Sequence, residues 1–159
     1  MNRKGQTTVE FALTALVVFA VLFAIIDFAV MFYVNLTMQH AVREGARYAV
    51  TGQGGNNGVQ RRKALVEKIQ ACSNGLYAKN ANPQKEPTVS VVTPSRAANF
   101  SNYTGSQVSD TGNPSEIIIV SLAYSWPLLT PIVRPFFADG KYAFVVRATM
   151  KHEPWELRK

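Results

Sequence analysis

From Phe11 to Val34 the chain runs 24 residues with neither glycine nor proline and with a single formal charge, Asp27. As a helix rising about 1.5 Å per residue, this stretch covers roughly 36 Å, enough to cross a hydrocarbon core of about 30 Å with some tilt. A helix of a water-soluble domain keeps a polar face. This one has none, so a transmembrane helix is predicted over about residues 11–34. Beyond it, Met38, Ala41, Val42, Gly45 and Ala49 recur on one stripe, with Asn35, Gln39, Arg43 and Arg47 on the opposite one. That period continues the same helix to about Val50, where Gly52 stops it. One helix over residues 6–50 is expected, about 68 Å long, its first half in lipid and its second packed under a globular head. With no proline inside it, no proline kink is expected.

After Gly52, a run of glycine and asparagine reads as a flexible loop. A short amphipathic helix is predicted over about Gln60 to Ser73, with Leu65, Val66, Ile69 and Cys72 on its inner face and Gly75 as its stop. Three strands follow. Thr88 to Val92 is short. Ile117 to Trp126 puts Ile118, Val120, Leu122, Tyr124 and Trp126 on one face, and Tyr142 to Lys151 alternates Tyr142, Phe144, Val146, Ala148 and Met150 with the opposite set. The predicted fold class is α+β: a long N-terminal transmembrane helix continuing into a small head, residues 53–159, made of a short helix and a three-stranded antiparallel sheet. The head, about 110 residues, is read as one domain with a modest core. Two connections stand out. Residues 93–115, rich in Ser, Asn, Gly and Pro, read as disordered in preference to a binding or subunit-contact loop. Pro127 to Phe137 is apolar, but Pro127, Pro131 and Pro135 exclude a regular helix. Its Leu128, Leu129, Ile132, Val133, Phe136 and Phe137 cap the core, the favoured case, or touch the membrane or a neighbour.

The polar residues around the apolar run carry the chemistry. Arg3 and Lys4 form a basic leader over residues 1–5, Gly5 follows, and Glu10 stands at the mouth of the span. A secretory signal peptide shares the basic start, but its apolar core is about 7 to 15 residues long and ends in a small-residue cleavage site. Here the run is longer and ends in Phe32, Tyr33, Val34 and Asn35. The helix is therefore expected to stay as an anchor. Charge bias sets orientation weakly, since Arg43 and Arg47 follow the span as closely as Arg3 and Lys4 precede it. An ionised Glu10 carried to the centre of a membrane helix would cost about 2.5 to 3.5 kcal/mol, so it asks for a cation or for headgroup water. Asp27 lies 17 residues further on, which at about 100° per residue turns it roughly 100° away from Glu10. It reads either as hydrated near the end of the span or as paired with a cation of a partner helix.

The basic leader, Gly5, and an acid five residues beyond it at the head of an unbroken apolar helix resemble the processing site of type IV prepilins. That resemblance implies cleavage between Gly5 and Gln6 by a prepilin peptidase, and it alone puts the N-terminus in the cytoplasm and the head outside. The new ammonium on Gln6 would lie one turn from Glu10 and could neutralise it in the same chain or in a neighbour. The strings Gly-Gln-Thr-Thr-Val-Glu-Phe-Ala-Leu from Gly5, Ile-Asp-Phe-Ala around Asp27, Phe-Tyr-Val-Asn-Leu from Phe32 and Ala-Val-Arg-Glu-Gly-Ala-Arg-Tyr-Ala from Ala41 to Ala49 resemble the TadE-like family, pilin-related proteins of tight-adherence (Flp) pilus systems. The resemblance covers residues 4–50, about a third of the chain, and is looser around Ala148 and Glu153. It implies that Glu10 is the assembly acid and that Asp27, Arg43, Glu44, Gly45 and Arg47 are family-pattern positions. It also implies partners: the prepilin peptidase, other pilins and pilus assembly proteins, and membrane lipid.

Nothing in the chain suggests catalysis. His40 and His152 are the only histidines and Cys72 the only cysteine, with no nucleophile, phosphate-loop or metal-ligand spacing, so no enzyme activity, cofactor or metal is expected. Cys72 reads as a small core residue, and His152 is assigned no role. Arg61, Arg62 and Lys63 lack aromatic interleaving and read as a solvated helix face, so no specific nucleic acid partner is expected. The side-chain charge of +7 falls to +5 once Arg3 and Lys4 leave, an excess that favours anionic surfaces without selecting one. Two readings follow. The first is a processed minor pilin or pseudopilin that helps initiate, anchor or assemble a Flp-type pilus from the inner membrane of a bacterial or archaeal cell. The alternative is an unprocessed single-pass membrane protein whose extracytoplasmic head binds a ligand or partner protein.

Overall fold

The computed structural model describes residues 3–55, 57–77, 87–92, 111–131 and 133–154. Its elements are α1 (Arg3–Val50), α2 (Gly58–Cys72), β1 (Thr88–Val92), β2 (Ile117–Pro127) and β3 (Lys141–Lys151), with two 3-10 turns at Arg134–Phe136 and Ala138–Gly140 ahead of β3. α1 starts before Gly5, so the glycine is itself helical. The predicted strand limits stand to within a residue, because period-two patterning with β-branched residues leaves little choice of backbone. This is the α+β architecture expected, with sheet order β1-β2-β3.

The chain divides into two compact units. One combines Met1–Tyr33 with Trp126–Tyr142, and the other combines Val34–Ser125 with Ala143–Lys159.

In the second unit α1 ends at Val50. Gly52 adopts φ 70° and donates its N–H to the Ala49 carbonyl at 3.3 Å, the left-handed stop that glycine makes cheaply. The Val50 carbonyl, at the C-terminal end of the helix, accepts from the Glu153 N–H at 3.2 Å. α2 opens on Asn57, whose side-chain oxygen accepts from the Val59 N–H at 3.0 Å. It closes at Ser73, two residues before Gly75, where the Ser73 hydroxyl donates to the Gln70 carbonyl at 2.7 Å. The predicted inner face of α2 holds for Leu65 and Ile69, which are fully buried, whereas Val66 and Cys72 are only half-buried. Cys72 is therefore a residue of the core's margin.

β1 and β2 run antiparallel with Val89 opposite Val120 and Ser90 opposite Ile119. Ile118, Val120, Leu122 and Tyr124 of β2 are buried, as the alternation predicts, and so are Val146 and Ala148 of β3. The Tyr124 and Phe144 rings meet at 5.5 Å. The Tyr124 hydroxyl donates to the Leu76 carbonyl at 2.5 Å, and burial pushes its pKa up to about 12.

Of the two connections, residues 93–110 of the first lie outside the described residues. Its last part is packed: Thr111 and Gly112 are buried, against the expectation of disorder across 93–115.

Candidate functional site

The site begins at the N-terminal end of α1. Gly5 is exposed, and a Cβ built on it would meet nothing within 4 Å. One turn separates Gln6 from Glu10, and the Gln6 side-chain amide donates to the Glu10 carboxylate at 3.1 Å with both residues exposed. The Thr14 hydroxyl donates to the Glu10 carbonyl at 2.9 Å, so the turn beside the acid is held by its own chain. Leu16, Val17, Val18 and Phe19 are consecutive and each more than half exposed, so bare apolar side chains point in every direction around the helix. A helix apolar all round and left uncovered fits lipid or other apolar helices and not water.

Asp27 is placed differently. It is buried, with 1% of its surface exposed, and its carboxylate is occupied by its own chain. The Leu129 N–H donates to Oδ1 at 3.0 Å, the Thr130 N–H donates to Oδ2 at 3.2 Å, and the Thr130 hydroxyl also donates to Oδ2. Sequence alone offers water or a partner's cation as the counterpart of Asp27; the structure supplies three donors from a loop about a hundred residues downstream. A carboxylate accepts at both oxygens and donates at neither, which suits it to two successive backbone N–H groups and a hydroxyl. Next to this clamp Met31, Leu128 and Val133 form a small buried cluster with Ala24, Phe137 and Tyr142 against it. The Phe137 and Tyr142 rings meet edge to face at 6.4 Å. The apolar connection thus divides: Leu128 and Val133 pack inward, while Leu129 and Phe136 stay exposed. Ile132 lies outside the described residues.

Further along α1, Gly45 is buried where α2 crosses. A Cβ on it would stand 2.5 Å from Ile69 Cγ1, closer than real Cβ contacts stand, and a tight 3.3 Å from the Leu65 carbonyl oxygen, so glycine lets the two helices approach this far. A bare apolar helix with an exposed glycine and an acid at its mouth, an acid buried within it and a contact glycine near its end make one ordered pattern on α1. Residues 5–47 match the TadE-like protein family. The TadE-like segment is thus α1 up to Arg47, and the match links the chain with pilus-related proteins of tight-adherence systems. With one long apolar helix among the described residues, the chain fits a single-pass membrane protein of a pilus system. No curated protein and no solved structure matches the chain.

Within the TadE-like segment the positions separate by environment. Gly5, Gln6 and Glu10 cluster at one end, Asp27 is sealed by residues 129–130, and Gly45 is pressed against α2. Arg43 and Arg47 are exposed, on the opposite face from Ala41, Gly45 and Ala49, as the stripe predicts, and Glu44 is half-buried.

One cluster outside this segment has no sequence signature. Arg61, expected on a solvated face with Arg62 and Lys63, is buried; its Nε donates to the Thr111 hydroxyl at 3.1 Å and its Nη2 to the Gly112 carbonyl at 3.0 Å. A guanidinium is buried only where acceptors meet it, and these lie 50 and 51 residues away. Lys63 is exposed, as expected. His152, assigned no role from sequence, is also buried, with its Nε2 2.6 Å from the Thr111 carbonyl. A carbonyl only accepts, so this nitrogen carries the proton. The His152 N–H donates to the Glu116 carbonyl at 2.8 Å. Together Arg61 and His152 tie α2, residues 111–116 and the end of β3 into one polar knot.

Proposed function

We infer that the protein is a minor pilin or pseudopilin, processed between Gly5 and Gln6 and taking part in the assembly, initiation or anchoring of a Flp-type pilus. The observation that carries this reading is the register within the TadE-like segment: an exposed Gly5, an exposed Glu10 one turn beyond Gln6, and an uncovered apolar helix behind them. Among the described residues, nothing stands within 4 Å of a Cβ built on Gly5. Cleavage would place an ammonium on the residue whose side chain already contacts Glu10, and either that ammonium or a neighbour's would neutralise the acid as helices gather. The N-terminus then lies in the cytoplasm, the helix crosses the inner membrane, and residues 53–159 work outside, through contacts with other pilus proteins. The chemistry proposed is assembly, with no catalytic step.

Intact mass and N-terminal sequencing of the protein from membranes of its host, with and without the prepilin peptidase, test the reading. A chain starting at Gln6 only when the peptidase is present is expected. A chain starting at Met1 in both would overturn processing and favour an anchored protein whose head binds a ligand or partner.

A further inference from the structure

The loop that seals Asp27 has three properties with a common physical consequence. The first is its depth along α1. Asp27 is 17 residues beyond Glu10, about 26 Å at 1.5 Å per residue, so with Glu10 at one edge of a hydrocarbon layer of about 30 Å Asp27 is still just inside the far edge. The helix agrees, since Phe28 and Phe32 are apolar and exposed at and beyond that level. The Leu129 and Thr130 amides lie within about one hydrogen bond's length of Asp27 and share its depth.

The second property is a backbone with few free donors. Irregular chain is tolerated at membrane depth only where its polar groups are satisfied. Pro127 and Pro131 have no N–H to satisfy, Leu128 donates to the Gly140 carbonyl at 3.1 Å, and Leu129 and Thr130 donate to Asp27. Every residue from 127 to 131 is thereby free of an unmet donor. Further on Pro135 has none, and Phe136 and Phe137 donate to Val133 and Arg134, each at 3.1 Å. The prolines that exclude a helix also remove the N–H groups that lipid would penalise.

The third property is the outer surface. Leu129 is 56% exposed and Phe136 83%, the second an extreme value for a phenylalanine in water. Arg134 supplies a rim: its side chain lies along Gly140 and its Nε donates to the Leu128 carbonyl at 3.0 Å, while the residue stays exposed. An arginine whose stem lies along the chain and whose residue stays exposed suits the headgroup layer.

We propose that residues 127–131 and 133–137 form a second membrane contact, a ledge inserted among the lipids of one leaflet beside α1, with Leu129 and Phe136 in the acyl region and Arg134 at the headgroups. Asp27 is the peg that holds the ledge at its depth. The ledge hides the one acid within the span from lipid, so the apolar length of α1 extends past Asp27 rather than stopping there. This rests on α1 crossing the membrane and not on pilus assembly or processing.

The test uses the full chain in a Cys72→Ser background, with single cysteines at Phe136, Leu129, Phe19 and Glu67 carrying an environment-sensitive fluorophore. Each is reconstituted at low density into phosphatidylcholine and phosphatidylglycerol vesicles containing lipids spin-labelled at shallow or deep acyl positions. The probe at position 136, and the second at 129, are expected to shift to the blue and to lose more emission to the shallow spin label than to the deep one. The probe at 19 should be quenched by the deep label, and the probe at 67 by neither. Quenching at 19 but not at 136 or 129 would overturn the ledge while leaving the span intact. Probes at 136 and 129 shielded from aqueous iodide yet untouched by either lipid label would overturn it in favour of a protein-facing surface. An unquenched probe at 19 would remove the span and the ledge together.

Discussion

Replacing Asp27 with alanine removes the α1 acceptor of three donors of the downstream loop. Hydrogen bonds to an ionised group contribute about 1.5 to 3 kcal/mol each, and a buried donor left without a partner costs about 1 to 3 kcal/mol. The three donors do not add in full, because the loop relieves its unmet donors by leaving the helix, and the penalty then levels off at the cost of undocking. Leu128 and Val133, the buried anchors of that docking, limit the detachment. A loss of about 3 to 5 kcal/mol in loop docking follows, at the low end of the sum for three such bonds. Amide hydrogen exchange on the full chain in lipid nanodiscs reads this directly, since each 1.4 kcal/mol is about a factor of ten in an opening equilibrium. Peptides covering 126–140 should exchange about a hundredfold faster or more in Asp27→Ala, with the interior of α1 unchanged. Thr130→Val, which removes only the hydroxyl donor, should cost about 1 kcal/mol and change exchange less than tenfold. Unaltered exchange of 126–140 in Asp27→Ala would show that the apolar cluster alone holds the loop and that the carboxylate does not.

Other outcomes follow from the same geometry. Gly45→Ala gains up to about 1 kcal/mol in helix propensity but drives a Cβ into Ile69 and the Leu65 carbonyl, an overpacking cost of about 1 to 3 kcal/mol; a net fall in thermal midpoint is expected, and a rise would mean that α2 shifts freely. Tyr124 has its pKa raised from about 10 to about 12, so the neutral phenol is the form the fold favours. That stability is complete below pH 10 and is lost as pH rises towards 12; Tyr124→Phe should lower stability at pH 7 by about 1 kcal/mol through the lost bond to the Leu76 carbonyl and flatten the alkaline decline, both read by denaturant melts across pH. Glu10→Ala should still insert but should not co-purify with pilus components, because a neighbour's ammonium then stays unpaired in lipid; normal co-purification would sink charge pairing as the assembly mechanism.

Much of this protein is settled locally and so is legible in its residues. The 24-residue apolar run makes a helix whose Leu16 to Phe19 stretch stays bare, the stripe from Met38 to Ala49 makes that helix two-faced, and the alternation in β2 and β3 assigns inner and outer faces nearly residue by residue. Glycine at position 52 marks the end of α1 because capping is a contact among neighbours in sequence, whereas the Asn57 cap, read as part of a loop, starts α2 two residues before the expected Gln60. The partners of the buried polar groups are another matter. Asp27 meets Leu129 and Thr130 across 102 and 103 residues, Arg61 meets Thr111 across 50, and His152 meets Thr111 across 41. No periodicity encodes such pairs; a buried charge requires a partner but does not name one. The sequence by itself determined that Asp27 and Glu10 would need counterparts in an apolar setting. Only the tertiary structure decided that Asp27 finds its counterparts within the chain, because backbone N–H groups carry no signature in the sequence and a donor can be recognised only once the fold has brought it to the acceptor.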